Sequence, residues 1–146
     1  MKTYVNNPVI VTAILLWIGF VGAISFMEAW LKFQAPGVNL AIGLGIGRLV
    51  FGVLNKIEWV FAVAILISAI AGKVKILSWE NIFYLVPLFL LIIQTFWLLP
   101  ELDARAERLI QNQQITPSNL HLYYVSGEII KVVCLSVLGV RQFKNE

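Results

Sequence analysis

Between Thr116 and Arg141 lies an apolar stretch that carries two full charges in its middle, Glu128 and Lys131. Thr116 is a candidate helix cap and Pro117 a candidate first helical residue, and the roughly 23 residues that follow are enough to cross a bilayer as one helix. His121, Tyr124, Glu128 and Lys131 are spaced by three, four and three. At about 100° per residue they share an arc about 80° wide, while the other faces are lipid-like. An ionised group facing lipid at mid-span costs roughly 3 kcal/mol or more, so this stripe has to face protein or a wet cavity.

The rest of the chain can supply the surrounding helices. Of 146 residues, 60% are hydrophobic and 13% charged, with a mean hydropathy of +0.85, whereas a water-soluble domain carries about 25% charged residues. The expected fold is all-α, an integral membrane four-helix bundle forming a single domain. The formal charge of +3 does not point to nucleic acid, because the basic residues are scattered between apolar runs and form no patch. Expected partners are the lipid bilayer and its anionic headgroups, together with a second copy or another membrane protein. The single cysteine, Cys134, falls in the final span; it excludes an intrachain disulfide and reads as a packing residue.

Four spans are expected, at about 9–31, 57–72, 79–100 and 117–140. The first run lacks a small-residue cleavage site and reads as a retained helix. Near its end, Glu28 and Lys32 stand four apart; they form either an interfacial ion pair or, for Glu28, a link to the interior that Glu128 and Lys131 face. Gln34-Ala-Pro-Gly37 then breaks the chain. The apolar run from Val38 to Gly72 is too long for one span and is interrupted by Arg48 and by Asn55-Lys56-Ile57-Glu58. It is therefore divided into an interfacial or re-entrant helix at about 38–54 and the second span. Arg48 either snorkels to headgroups or serves as counter-ion to a buried carboxylate. Gly43-x-x-x-Gly47 and Ala41-x-x-x-Gly45 suit close helix packing. Lys73-Val-Lys75 makes a short basic loop, and Trp79, Tyr84 and Trp97 anchor the third span. In that span Pro87 is a candidate kink and Gln94 and Thr95 face the bundle. A surface helix at about 101–113 continues it. Basic residues tie at five on each side. Cytoplasmic termini of a multi-pass cell-membrane protein are expected, because Arg48 and Lys56 fall within helices rather than loops.

The order Trp17-Ile-Gly19…Phe26, Pro36-Gly37, Arg48…Phe51…Asn55…Glu58, Phe96-Trp-Leu-Leu-Pro100 and Ser118-Asn-Leu-His121 resembles the four-helix membrane family related to human transmembrane protein 205. The likeness covers most of the chain, and His121 matches the histidine that begins that family's last span. The resemblance implies a four-helix membrane bundle with no established reaction. The chain departs from the family in placing Glu128 and Lys131 deeper in the last helix.

One histidine, one cysteine and two methionines are too few for the usual protein-supplied copper or zinc set, and a lone His121 cannot give haem a pair of axial ligands. No cofactor, metal site or catalytic constellation is expected, and the chain does not read as an enzyme. Two readings remain. The first is a conduit or carrier for protons, ions or a small polar solute, using His121, Tyr124, Glu128 and Lys131 with Glu28 or Arg48 completing the path. The second is a structural or accessory membrane subunit whose polar stripe fixes helix packing. On this reading the same residues form a permanently paired network, and neutralising Glu128 would strand the Lys131 ammonium in low dielectric.

Overall fold

The structure is a computed structural model that describes residues 3–72 and 82–145. Its elements are a strand β1 (Thr3–Val5), four long helices and a strand β2 (Phe143–Asn145). The helices are α1 (Pro8–Gln34), α2 (Leu40–Ala71), α3 (Ile82–Ile110) and α4 (Leu120–Val140), each long and apolar enough to cross a membrane. They run up, down, up and down as a bundle: α1 packs on α2 and α4, α3 packs on α4, and the second half of α3 returns to α2. The expected helical bundle is present, with a terminal ribbon in addition. β1 and β2 pair antiparallel, with Val5 opposite Phe143, which brings the start of α1 and the end of α4 to the same end of the molecule. The Lys73-Val-Lys75 loop, Trp79 and the beginning of the expected third span lie outside the described residues.

Residue chemistry accounts for the helix boundaries. Asn7 caps α1, its side-chain oxygen accepting the N–H groups of Val9 and Ile10 at 3.1 and 3.2 Å, and Pro8 follows as first helical residue. Asn39 caps α2 through the Ile42 N–H at 2.9 Å. Gly37 has φ 82°, the left-handed turn that glycine adopts without strain. On α4 the expected start is corrected: the helix begins at Leu120 with Asn119 at its cap, and Thr116 and Pro117 belong to the preceding connection. There the Thr116 carbonyl accepts a hydrogen bond from Arg105.

The division of residues 38–72 is corrected as well. One helix of 32 residues runs through Asn55-Lys56-Ile57-Glu58 without a break. Of the polar residues that suggested a turn, Asn55 and Glu58 are buried and bond to Thr95 and Trp17 on neighbouring helices, while Lys56 is exposed on the outer face. At about 1.5 Å per residue such a helix is about 48 Å long, more than the roughly 30 Å of a bilayer's hydrocarbon core.

Each odd-numbered helix contains a π-helical segment at the level of the interior polar groups, Gly22–Glu28 in α1 and Gln94–Leu98 in α3. The second has a local cause. Pro100 has no N–H and its ring crowds the carbonyl four residues back, and the chain answers with a wider turn in which the Leu99 N–H reaches the Gln94 carbonyl. The surface is inverted relative to a soluble bundle. Large apolar residues such as Leu49, Phe89, Phe96 and Val140 point outward, while Glu58, Gln94, Glu128 and Lys131 are at most 1% exposed. An apolar core of Ile14, Trp17, Val21, Ile65, Leu91 and Leu135 fills the ribbon end of the bundle.

Candidate functional site: a buried charged triad below a cavity

Near the middle of the bundle, two helices deliver charge to one point. On α2 the inward positions recur as Asn55, Glu58, Ala62, Ile65 and Ala69, a three-four spacing that carries Glu58 to the axis. On α4 the same spacing brings in Tyr124, Glu128, Lys131, Leu135 and Leu138. The Lys131 ammonium contacts a Glu58 oxygen, and its distance to Glu128 Oε1 is 2.8 Å. All three side chains are completely buried.

Neutral donors complete the network. The Trp17 indole N–H donates to Glu58 Oε1 at 2.8 Å. Gln94 donates from Nε2 to Glu128 Oε1 at 2.7 Å, and the Ser25 hydroxyl reaches Glu128 Oε2 at 3.3 Å. Gly127 permits the approach of Gln94, because a Cβ there would lie 3.2 Å from its amide nitrogen. The network is not fully paired: Glu58 Oε2, Gln94 Oε1 and the Tyr124 hydroxyl are buried with no hydrogen-bond partner. Beside it, Thr95 Oγ1 accepts from Asn55 Nδ2 at 2.9 Å and from Trp59 Nε1 at 3.0 Å, and donates to the Leu91 carbonyl at 2.7 Å. This ties α2 to α3.

The charges do not balance. Two carboxylates face one ammonium, so with every group ionised the triad carries one net negative charge in a fully buried position. One added proton, or one cation, makes it neutral. Burial of an uncompensated charge is costly enough that this imbalance is the site's main chemical property.

A cavity of about 440 Å³ opens at the end of the bundle away from the ribbon. Its walls include Lys32, Phe33, Phe51, Asn55, His121 and Tyr124. Along α4 the lining reaches Tyr124, one helical turn before Glu128, and the Tyr124 ring meets Phe51 edge to face at 5.4 Å. At the cavity wall Arg48 binds Asp103 through two nitrogens, at 2.6 and 3.0 Å, and also Glu107, joining α2 to α3.

The structure thus distributes the six residues singled out in the sequence. Tyr124, Glu128 and Lys131 meet in the interior. His121 is exposed and lines the cavity. Glu28 pairs with Lys32 at 3.1 Å and does not join the triad. Arg48 is held by Asp103 and Glu107 and is not the counter-ion of a buried carboxylate. Glu58 is the central residue that was missed, together with Trp17 and Ser25, while Gln94, expected to face the bundle, does so and joins the network. Its signal was the unbroken three-four spacing from Asn55 to Ala69. Among the described residues, no group of three or more His, Cys, Asp or Glu side chains converges to hold a metal ion. No protein-family model, curated protein or solved structure matches the chain.

Proposed function

We propose that the protein is a multi-pass membrane conduit or carrier in which the Glu58–Glu128–Lys131 triad takes up and releases a proton, alone or together with a small solute. The observation that carries this reading is the ratio of two buried carboxylates to one ammonium, one turn beyond a cavity whose lining reaches Tyr124 along α4. A permanent packing device would be expected to pair its charges, as a lone Glu–Lys bridge does. This triad has one acidic group in excess and an unpartnered carboxylate oxygen, Glu58 Oε2. Proton uptake neutralises it, and release leaves Lys131 free to favour either carboxylate.

The ribbon supports placing both ends of the chain on one side. Arg48 and Lys56 lie well inside α2, whereas Lys32, Arg105 and Arg108 lie near the ends of α1 and α3, so discounting the first two leaves these three against Lys2, Lys73, Lys75, Arg141 and Lys144. That excess supports cytoplasmic ends. The test is flux. Proteoliposomes holding a pH-sensitive dye should dissipate an imposed pH gradient faster than empty vesicles, and Glu128→Gln or Glu58→Gln should return the rate to that of empty vesicles with the protein still folded. A parent protein that moves no protons, with or without small solutes present, would leave the packing role as the reading.

A further inference from the structure

The cavity has its own chemistry, distinct from that of the triad. Lys32 lines it and its side chain is 9% exposed, yet the ammonium makes a single described ion pair, to Glu28 Oε2 at 3.1 Å. An ammonium has three donors. The remaining contacts of Lys32 are aromatic faces, with Nζ 5.4 Å from the Phe33 centroid and 5.6 Å from that of Phe51. Gly47 is what allows this position, since a Cβ there would lie 3.2 Å from Nζ. A nearly buried cation with donors to spare is thus held against the cavity by a glycine and two phenyl rings.

The surrounding charges decide what such a donor can hold. Lys32 and Arg48 provide two positive charges near the cavity, and Glu28, Asp103 and Glu107 provide three negative ones. The triad beyond Tyr124 has a second excess of acid. A fixed anion would enter a field that is negative overall. A fixed cation would enter beside the Lys32 ammonium, whose charge and free donors would oppose it. What remains is an uncharged molecule with an acceptor oxygen for Lys32 and an apolar, flat body for Phe33, Phe51, Leu44 and Leu99. The volume of about 440 Å³ lies within the roughly 300–1,000 Å³ usual for small-molecule sites.

We infer that this cavity binds uncharged, largely apolar cyclic ketones and quinones, with a ring carbonyl accepting from Lys32 and the ring packed on Phe33 and Phe51. Along α4, Tyr124 then separates the bound ring from the triad.

Binding is measured without a pH gradient, so its outcome is separate from that of the flux experiment. Protein in nanodiscs is dialysed to equilibrium against empty nanodiscs with each of three probes of one shape. These are 2,3-dimethyl-1,4-naphthoquinone, whose substituted ring offers no open position to a thiol, 2,3-dimethylnaphthalene, which lacks the acceptors, and 3-methyl-2-naphthoate, which adds a charge. The quinone should bind at least tenfold more tightly than either of the others. The double variant Glu28→Gln/Lys32→Met, which removes the donor without stranding a carboxylate, should cost the quinone at least tenfold and leave the hydrocarbon unchanged. If that variant does not fold, the three-probe ranking on the parent decides by itself. Equal binding of quinone and hydrocarbon, tighter binding of the naphthoate, or no binding above empty nanodiscs would each overturn the inference.

Discussion

Replacing Lys131 with methionine would leave Glu58 and Glu128 buried without an ammonium, and loss of one partner from a buried charge pair costs about 3–5 kcal/mol. Unfolding of the purified protein in detergent should show a loss of that order. Glu128→Gln behaves differently. Glu58 still holds Lys131, so the variant keeps a neutral pair and should be as stable as the parent or more so, whereas the packing-subunit reading of the sequence implied a stranded lysine. The triple variant Lys131→Met/Glu58→Gln/Glu128→Gln should recover most of what Lys131→Met loses, because uncharged residues in place of buried ions are often neutral or stabilising by about 1–4 kcal/mol. A triple variant no more stable than Lys131→Met would show that the three residues do not act as one electrostatic unit. Glu128 and Lys131 could be read as inward-facing because their own helix is apolar on its other faces. For Glu58 the three-four spacing that carries it inward begins in a polar tetrapeptide that also fits a turn, and the turn reading masked it.

On α2, glycines of similar local sequence have opposite roles. Gly43 is buried against Phe33, and a Cβ there would collide with that ring, whereas nothing lies within 4 Å of a Cβ built at Gly45. Gly43→Ala should therefore destabilise the protein by about 1–3 kcal/mol as the ring is pushed aside. Gly45→Ala should stabilise it by up to about 1 kcal/mol through helix propensity. Parallel unfolding curves check the sign of each. Of the two small-residue pairs visible in the sequence, Gly43-x-x-x-Gly47 thus receives side chains from α1, and Gly45 faces open space. The break expected at Asn55-Glu58 failed for a related reason. Local polarity suggested exposure, but Thr95 and Trp17 on other helices supply the partners, and no local rule shows them. The start of α4 was placed too early because Thr116-Pro117 is a valid cap motif whose carbonyl is used instead by Arg105.

At the scale of the whole molecule, the ribbon makes a geometric claim. With Cys134 replaced by alanine, cysteines at Val5 and Phe143, which are paired in the register, should form an intrachain disulfide under mild oxidation. A membrane-impermeant thiol reagent should reach Val5→Cys and Gln113→Cys from opposite sides of the vesicle. Labelling of both from one side would contradict the up-down-up-down bundle. The four apolar helices and the inward stripe on α4 were legible from composition and periodicity. The cavity and the triad were not, since both arise where residues far apart in the chain are brought together.

The separation between Glu58 and Lys131 also bears on how the protein is made. The two are 73 positions apart, and at about 5–20 residues per second the ribosome needs roughly 4–15 s to cover that interval. Throughout it, α2 has a carboxyl in mid-helix and its ammonium does not yet exist. Trp17, 41 positions earlier, is the one described partner of Glu58 already synthesised. On the membrane reading proposed above, the indole is placed to shield the acid until α4 is made, and Trp17→Phe should slow biogenesis more than it weakens the finished protein. Pulse-labelling of newly made chains against protease, compared with equilibrium unfolding of the same variant, separates the two effects.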